Sequence, residues 1–325
     1  MLLIGNDGFE KLSYRGDVPM PVAATGDVLI RIGAAGVNNT DINTRTAWHS
    51  KSVTAPTVDG GASGFVEAQT DDSGWTGAVP HFPRIQGADA CGRIVDVGAS
   101  VSSNRIGERV IVEPIFCDPA GHAFDAIYFG SEVDGKFAEF SSVPSRRAHA
   151  INSPLSYDEL ASFLSVYGAA EKMLTCAAFS AGEQVLIPGA SGGFGTAAVQ
   201  LAKRRGAMVT AIASAAKHDA VVALSADHVI ACDTDLAACV GPDRFHAIIE
   251  SVGGEQLGTR LYALKRGGRY AVDAAGSIGT LDLRTLYLND MRLVGSTTLN
   301  RGVFTNLFSY IDACVMKALV SPTYR

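Results

Sequence analysis

Up to about residue 150 the apolar positions fall in short runs of β-forming residues broken by glycine: Val28-Leu29-Ile30-Arg31-Ile32, Gly92-Arg93-Ile94-Val95-Asp96-Val97-Gly98 and Glu108-Arg109-Val110-Ile111-Val112. Such runs predict strands and a β-rich first domain over 1-152. From about Ser153 the pattern changes to strand-length apolar runs separated by helix-length segments. The runs are Gln184-Val185-Leu186-Ile187, Met208-Val209-Thr210-Ala211-Ile212, His228-Val229-Ile230, Ala247-Ile248-Ile249 and Arg269-Tyr270-Ala271-Val272. Apolar strands alternating with helices predict a doubly wound parallel sheet, an α/β domain over 153-290. Its start is marked by Ser156-Tyr157-Asp158-Glu159, where Ser caps a helix and Glu three residues on answers it.

A length of 325 residues also favours two domains, because single cores stop growing near 250–300 residues. Between Lys51 and Pro80 lies a Gly-, Ser-, Thr- and Asp-rich segment far longer than the usual connection of about 4–6 residues. It is either a lid, which Trp48, His49 and Trp75 at its margins favour, or a solvated insertion. The net charge of -6, with no basic run longer than Lys203-Arg204-Arg205, gives no footprint for a nucleic-acid backbone, so small molecules are the expected partners. The six cysteines lack C-x-x-C spacing, and no apolar run reaches the roughly 18 residues of a membrane span. A reducing, cytoplasmic setting is expected.

The segment Val185-Leu186-Ile187-Pro188-Gly189-Ala190-Ser191-Gly192-Gly193-Phe194-Gly195 leaves a strand and opens a helix, the context of a pyrophosphate-binding turn. Ala190, Ser191, Gly192, Gly193 and Phe194 are the expected contacts, with backbone amides facing the anion and Gly195 allowing helix and sheet to pack. Ala190 stands where the fingerprint's first glycine belongs. Phe194, Ala197, Ala198, Leu201 and Ala202 make the helix's apolar stripe, and Gly206 ends it. An NAD site would place an acid about 20 residues on; here stands Ile212-Ala213-Ser214-Ala215-Ala216-Lys217. Ser214 and Lys217 suit a 2′-phosphate, so NADPH is the expected cofactor.

Gly36-Val37-Asn38-Asn39-Thr40-Asp41, Phe82-Pro83, Gly87-Ala88-Asp89-Ala90-Cys91-Gly92, Gly107-Glu108-Arg109-Val110, the Ala190 to Gly195 turn and Gly267-Gly268-Arg269-Tyr270 together resemble the medium-chain dehydrogenase/reductase superfamily. The resemblance covers nearly the whole chain and points to the zinc-free, quinone-oxidoreductase-like branch. It implies a GroES-like β-barrel catalytic domain, an inserted Rossmann domain, and a return of 291-325 to the first domain. It also implies a cleft between the domains shared by cofactor and substrate. Zinc members carry Cys, His and Cys where this chain carries Asn38, Ala88 and Ser165, and Asp89 stands at their acid position. A catalytic zinc needs three His, Cys or carboxylate ligands, and the structural zinc lobe needs four cysteines where this chain has only Cys117, so no metal is expected. The family's tyrosine after the third strand of the Rossmann sheet is missing from Ile230-Ala231-Cys232, and its last helix and strand are missing beyond Tyr324-Arg325, which suggests a truncated end.

These readings converge on hydride transfer from NADPH to a quinone or α,β-unsaturated carbonyl. Without zinc, hydrogen-bond donors must meet the developing oxygen charge; the Asn38 amide and Thr40 hydroxyl are the candidates, with Asp41 orienting their turn. Tyr167 and Arg45 are set aside as core and local pairing. The alternatives are a zinc-dependent alcohol dehydrogenase and an NADPH-binding sensor that has lost its chemistry. The resemblance further implies a homodimer through the strand near Arg292-Leu293-Val294-Gly295-Ser296.

Overall fold

The computed structural model describes residues 1–117, 125–273, 276–297, 301–320 and 323–324. The chain forms two units, Met1–Ser165 with Phe304–Arg325, and Val166–Val303. In the first, a five-stranded antiparallel sheet runs in the order Ala148–Ala150, Arg109–Val112, Asp89–Val97, Asp27–Gly36, Phe140–Pro144. Each of the three runs picked out by its alternation lies on one of these strands. Val28, Ile30, Ile94, Val110 and Ile111 are buried in this unit.

The Lys51 to Pro80 segment carries no helix or strand, yet it is tied down along its length. Trp48 Nε1 donates to the Ala55 carbonyl at 3.0 Å, Ser52 Oγ to the Glu67 carbonyl at 2.6 Å and Ser73 Oγ to Asn6 Oδ1 at 2.9 Å. Arg45, set aside above, donates to the Asp7 and Gly61 carbonyls and lies over the Phe9 ring. The segment ends with Trp75 stacked on Tyr128, ring centroids 5.1 Å apart and 16° from parallel.

In the second unit six parallel strands run in the order His228–Ala231, Met208–Ala213, Gln184–Ile187, Phe245–Glu250, Leu264–Val272, Arg292–Gly295. Counted along the chain this is 3-2-1-4-5-6, the order of a doubly wound dinucleotide fold, with its switch point between Gln184–Ile187 and Phe245–Glu250. The sequence reading starts the returning segment at 291, but Arg292–Gly295 pairs with Leu264–Val272 and belongs to this sheet as its edge strand. The return comes at Phe304: in helix Arg301–Asp312, Phe304 and Phe308 pack on His149, and the Asn152 amide donates to Asp312 Oδ1 at 3.1 Å. The capping box at Ser156 forms with both of its bonds, 2.7 and 3.2 Å. No helix among the described residues is long and apolar enough to cross a membrane.

One core group runs against burial rules. Lys136 is 0% exposed, and its Nζ lies 3.2 Å from the centre of the Phe129 ring with no hydrogen-bond partner. Burial drives its pKa well down, which favours the neutral amine over the cation on the ring. An unfolded chain holds that proton up to about pH 10.4, so folding releases it and stability rises with pH. Lys136→Met keeps the shape and removes the stranded amine. It is expected to stabilise the protein by about 1–3 kcal/mol, with the largest gain at low pH, read from denaturant midpoints at several pH values.

Candidate functional site

The strand Gln184–Ile187 delivers the chain into a turn whose shape only glycine permits at two points. Gly189 has φ +64°, and a Cβ there would stand 2.8 Å from Val252 Cγ2. A Cβ on Gly195 would stand 2.2 Å from the Gly189 carbonyl oxygen and 2.5 Å from Ala190 Cα, inside any contact a side chain makes. This explains the irregular fingerprint. The left-handed position falls on Gly189, so Ala190 is free to be fully buried, its amide bonded to the Ile212 carbonyl at 2.9 Å. Gly192 caps helix Gly193–Arg204, and Gly192 and Gly193 are exposed.

Beside the turn opens a cleft of about 620 Å³ lined by Gly189, Ser191, Ser214, Cys232, Asp233 and Val252 among others. Ser191 and Ser214 are thus among the residues that line it. Ala190 lies beneath it, Gly192, Gly193 and Phe194 form the helix start, and Lys217 is exposed at the end of the short 3-10 turn Ala215–Lys217. Two carboxylates stand where the sequence reading looked for none. Asp233 and Asp235 line the cleft after the third strand, and Asp235 caps helix Leu236–Val240 through the Ala238 amide at 3.1 Å. The floor near Val252 is held by the buried Glu250, which accepts the Val252 and Gly253 amides at 2.7 and 3.0 Å, the Tyr270 hydroxyl at 2.6 Å and the Arg260 guanidinium. An acid ending an apolar strand was the only sequence signal for this cluster.

The residues present fit a dinucleotide: a glycine cradle that a Cβ would fill, exposed amides at the start of a twelve-residue helix, and an adjoining cleft. Gly195→Ala is expected to weaken dinucleotide binding at least about tenfold, roughly 1.4 kcal/mol, in a fluorescence titration.

In the first unit the Asn38 to Asp41 motif opens helix Asn39–Thr46. Asp41 is buried, accepts the Asn38 amide at 2.8 Å and lies near the Gly87 and Ala88 amides. It holds this turn against the Gly87-Ala88 turn rather than facing open space, and Gln86 Nε2 reinforces the junction by donating to the Asp41 carbonyl at 2.9 Å. Asn38 Nδ2 donates to Asp89 Oδ2 at 3.0 Å, which spends one of its two amide hydrogens. Asp89, 1% exposed, also accepts the Ser165 amide at 2.9 Å and the Ser165 hydroxyl at 2.5 Å. The Tyr128 hydroxyl lies 3.3 Å from Ser165 Oγ. Asn38 and Asp41 are thus joined in one network with Asp89, Ser165 and Tyr128, and Thr40 stands beside them on the same helix start. Tyr128 escaped the sequence reading because a lone tyrosine in a three-residue strand gives no pattern. Tyr167 is buried and accepts from Gln200 Nε2 at 2.8 Å.

Burial pushes Asp41 up to about 7, with the nearby Asp89 adding to it against the pull of its backbone donors. Burial likewise pushes Asp89 up to about 6 against its bonds from Ser165 and Asn38. Burial, then the Asp41 and Asp89 carboxylates, drives the Tyr128 phenol well above its ordinary value. Raised carboxyl pKa values mean that the folded state holds protons which the unfolded chain releases near pH 4. Their stabilising effect is present below that pH and lost as pH rises to about 7. Urea midpoints are expected to fall across this range, and Asp89→Asn to flatten the part of the slope near pH 6.

Comparison with known proteins bears on both sites. Residues 24–153 match the alcohol dehydrogenase GroES-like domain, and residues 193–313 match the zinc-binding dehydrogenase domain. A two-domain enzyme class with a Rossmann dinucleotide fold is thereby defined. A solved structure from Sinorhizobium meliloti with a provisional alcohol dehydrogenase name is 37% identical, with a TM-score of 0.85 over 98% of this chain and 87% of that one. The human quinone oxidoreductase is 24% identical over 89% of this chain and 77% of its own length. A cobalt- and zinc-bound thermostable alcohol dehydrogenase from Pyrobaculum aerophilum is 26% identical, with a TM-score of 0.79 over 98% of this chain and 89% of that one. The chain belongs to the medium-chain dehydrogenase/reductase superfamily.

The superfamily's zinc does not fit these residues. An amide, a methyl and a hydroxyl stand at Asn38, Ala88 and Ser165, leaving Asp89 as the one zinc-type donor among these four positions. No group of three His, Cys, Asp or Glu among the described residues is placed to hold a metal.

Proposed function

We propose that this protein is an NADPH-dependent reductase that transfers hydride to a quinone or an α,β-unsaturated carbonyl without zinc. The observation that carries this reading is the Asn38, Asp89, Ser165 and Tyr128 network. At the position where zinc relatives hold their metal, it offers hydrogen-bond donors instead. The reduced nicotinamide supplies two electrons and one hydrogen as hydride when it is bound. The chain's own part is to receive the substrate oxygen with the free Asn38 amide hydrogen and the Thr40 hydroxyl, both on half-buried residues. Asp41 fixes the turn that presents them.

Ser214 and Lys217 support NADPH over NADH, since neither repels a 2′-phosphate and Lys217 is exposed to meet one. Asp235 is engaged as a helix cap, which lessens its claim on the ribose. The exposed edge strand Arg292–Gly295 supports a homodimer built across a twofold axis, and the acidic balance supports a small-molecule substrate.

The test is oxidation of NADPH and NADH with a panel of quinones and enones on metal-stripped protein. Turnover that prefers NADPH is expected, and Lys217→Ala is expected to raise KM for NADPH by about 5- to 20-fold, about 1–2 kcal/mol, with KM for NADH unchanged. NADPH binding without turnover would instead assign a sensor, and ethanol oxidation restored by zinc an alcohol dehydrogenase.

A further inference from the structure

We propose that Asp233 selects the base of the dinucleotide by accepting a hydrogen bond from the adenine 6-amino group, a contact that rests on the dinucleotide part of the reading above. The cleft beside the glycine turn is built on the carboxyl ends of four strands of the parallel sheet, and these ends stay bonded to one another past the strands themselves. The Ala190 amide donates to the Ile212 carbonyl at 2.9 Å, and the Cys232 amide to the Ala213 carbonyl at 3.1 Å. The turn after the first strand is thereby seated beside the end of the second, and the end of the second beside that of the third. A dinucleotide crosses such strand ends with its pyrophosphate on the glycine turn and its adenosine ribose at the end of the second strand. The base on that ribose then takes the rest of the cleft, between the end of the third strand and Val252.

That space has the make-up of a purine site. Ile212, Ile230 and Val252 line it with apolar surface suited to the faces of a flat ring, and Asp233, Thr234 and Gln256 add polar groups that a ring edge can meet. Its charged groups divide into those already engaged and one that is not. Arg260 is paired with the buried Glu250 and donates to the Gly253 carbonyl at 3.3 Å, and Asp235 Oδ1 accepts the Ala238 amide at 3.1 Å. Asp233 is exposed, and among the described residues no hydrogen bond or ion pair holds its carboxylate. A carboxylate only accepts, so its partner must be a donor. The adenosine half carries donors on its ribose, which lies by Ser214, and on the 6-amino group farther out, where Asp233 stands.

This contact has a chemical signature. In the hypoxanthine analogue of NADPH a carbonyl oxygen replaces the 6-amino group, so that two acceptors face each other and the carboxylate loses its bond. An asparagine amide holds both a donor and an acceptor and turns to suit either base. The fluorescence of the reduced nicotinamide follows binding of both dinucleotides, whose nicotinamide halves are identical. In the wild type the analogue is expected to bind at least about tenfold more weakly than NADPH. Asp233→Asn is expected to bring the two Kd values within about twofold of each other. Asp235→Asn keeps a side chain able to cap its helix and is expected to retain the preference for NADPH. A wild type that binds both dinucleotides within about twofold, a preference that survives in Asp233→Asn, or one that vanishes in Asp235→Asn would overturn the contact and leave the reductase in place. A preference that depends on Asp233, in a protein that reduces no quinone or enone, would uphold the contact and overturn the reductase. Failure to bind either dinucleotide would overturn both.

Discussion

A carboxylate taken out of water must be met by donors, because its desolvation costs several kcal/mol even after the protein relaxes. Asp89 meets that demand without a cation. Its partners are the Ser165 amide and hydroxyl and the Asn38 side chain, drawn from the start of one helix and the N-cap of another, while Asp89 itself opens a strand of the barrel sheet. Ser165, the Asn38 turn and the strand that Asp89 opens are therefore held together by one side chain. The hydroxyl and amide groups that could contact a substrate are fixed with it. Asp41 repeats the device by accepting the Asn38 amide, while Gln86 Nε2 donates to the Asp41 carbonyl and ties that turn to the segment before Gly87.

The second unit uses the same physics for a different purpose. Glu250 ends the fourth strand of the parallel sheet, where the chain leaves for the loop that lines the nucleotide cleft. Its carboxylate takes two successive loop amides, a phenol and a guanidinium, so the loop's path is set from below. The Gly189 turn faces that loop across the switch point, and a Cβ on Gly189 would strike Val252. The carboxylate that fixes Val252 and the glycine that leaves it room are two halves of one constraint on the width of the cleft.

Features with a period or a fixed spacing were readable from the chain. The strands Gln184–Ile187 and Met208–Ala213 follow from apolar runs, the Ser156 cap from its Glu159 partner, and the helix start at Gly193 from its glycine turn. Features made by long-range contact were not. Tyr128 joins Ser165 from 37 positions away, and nothing in Ala126–Tyr128 announces it. The Lys51 to Pro80 segment reads as loose because turn-rich composition carries no record of the tertiary bonds from Arg45, Asn6 and Ser131 that hold it. Arg292–Gly295 was legible as a strand. Its membership in the parallel sheet depends on pairing that periodicity alone does not contain.

Replacing a metal by hydrogen bonds changes what the surrounding structure must do. A zinc ion polarises an oxygen with a double charge and tolerates some slack in its neighbours, whereas an amide and a hydroxyl act only through orientation and proximity. The donors must therefore be held still by packing and by bonds of their own. The Asn38 amide is anchored on Asp89, the Asn38 turn on Asp41, and Tyr128 between Ser165 and the Trp75 ring. Seen this way, the long polar segment serves the site through its last aromatic residue: the bonds that tie residues 51–80 to their own unit are what keep Trp75 in place. On the proposed metal-free reading, rigidity here is the condition for doing with neutral dipoles what a cation does in zinc-bound relatives.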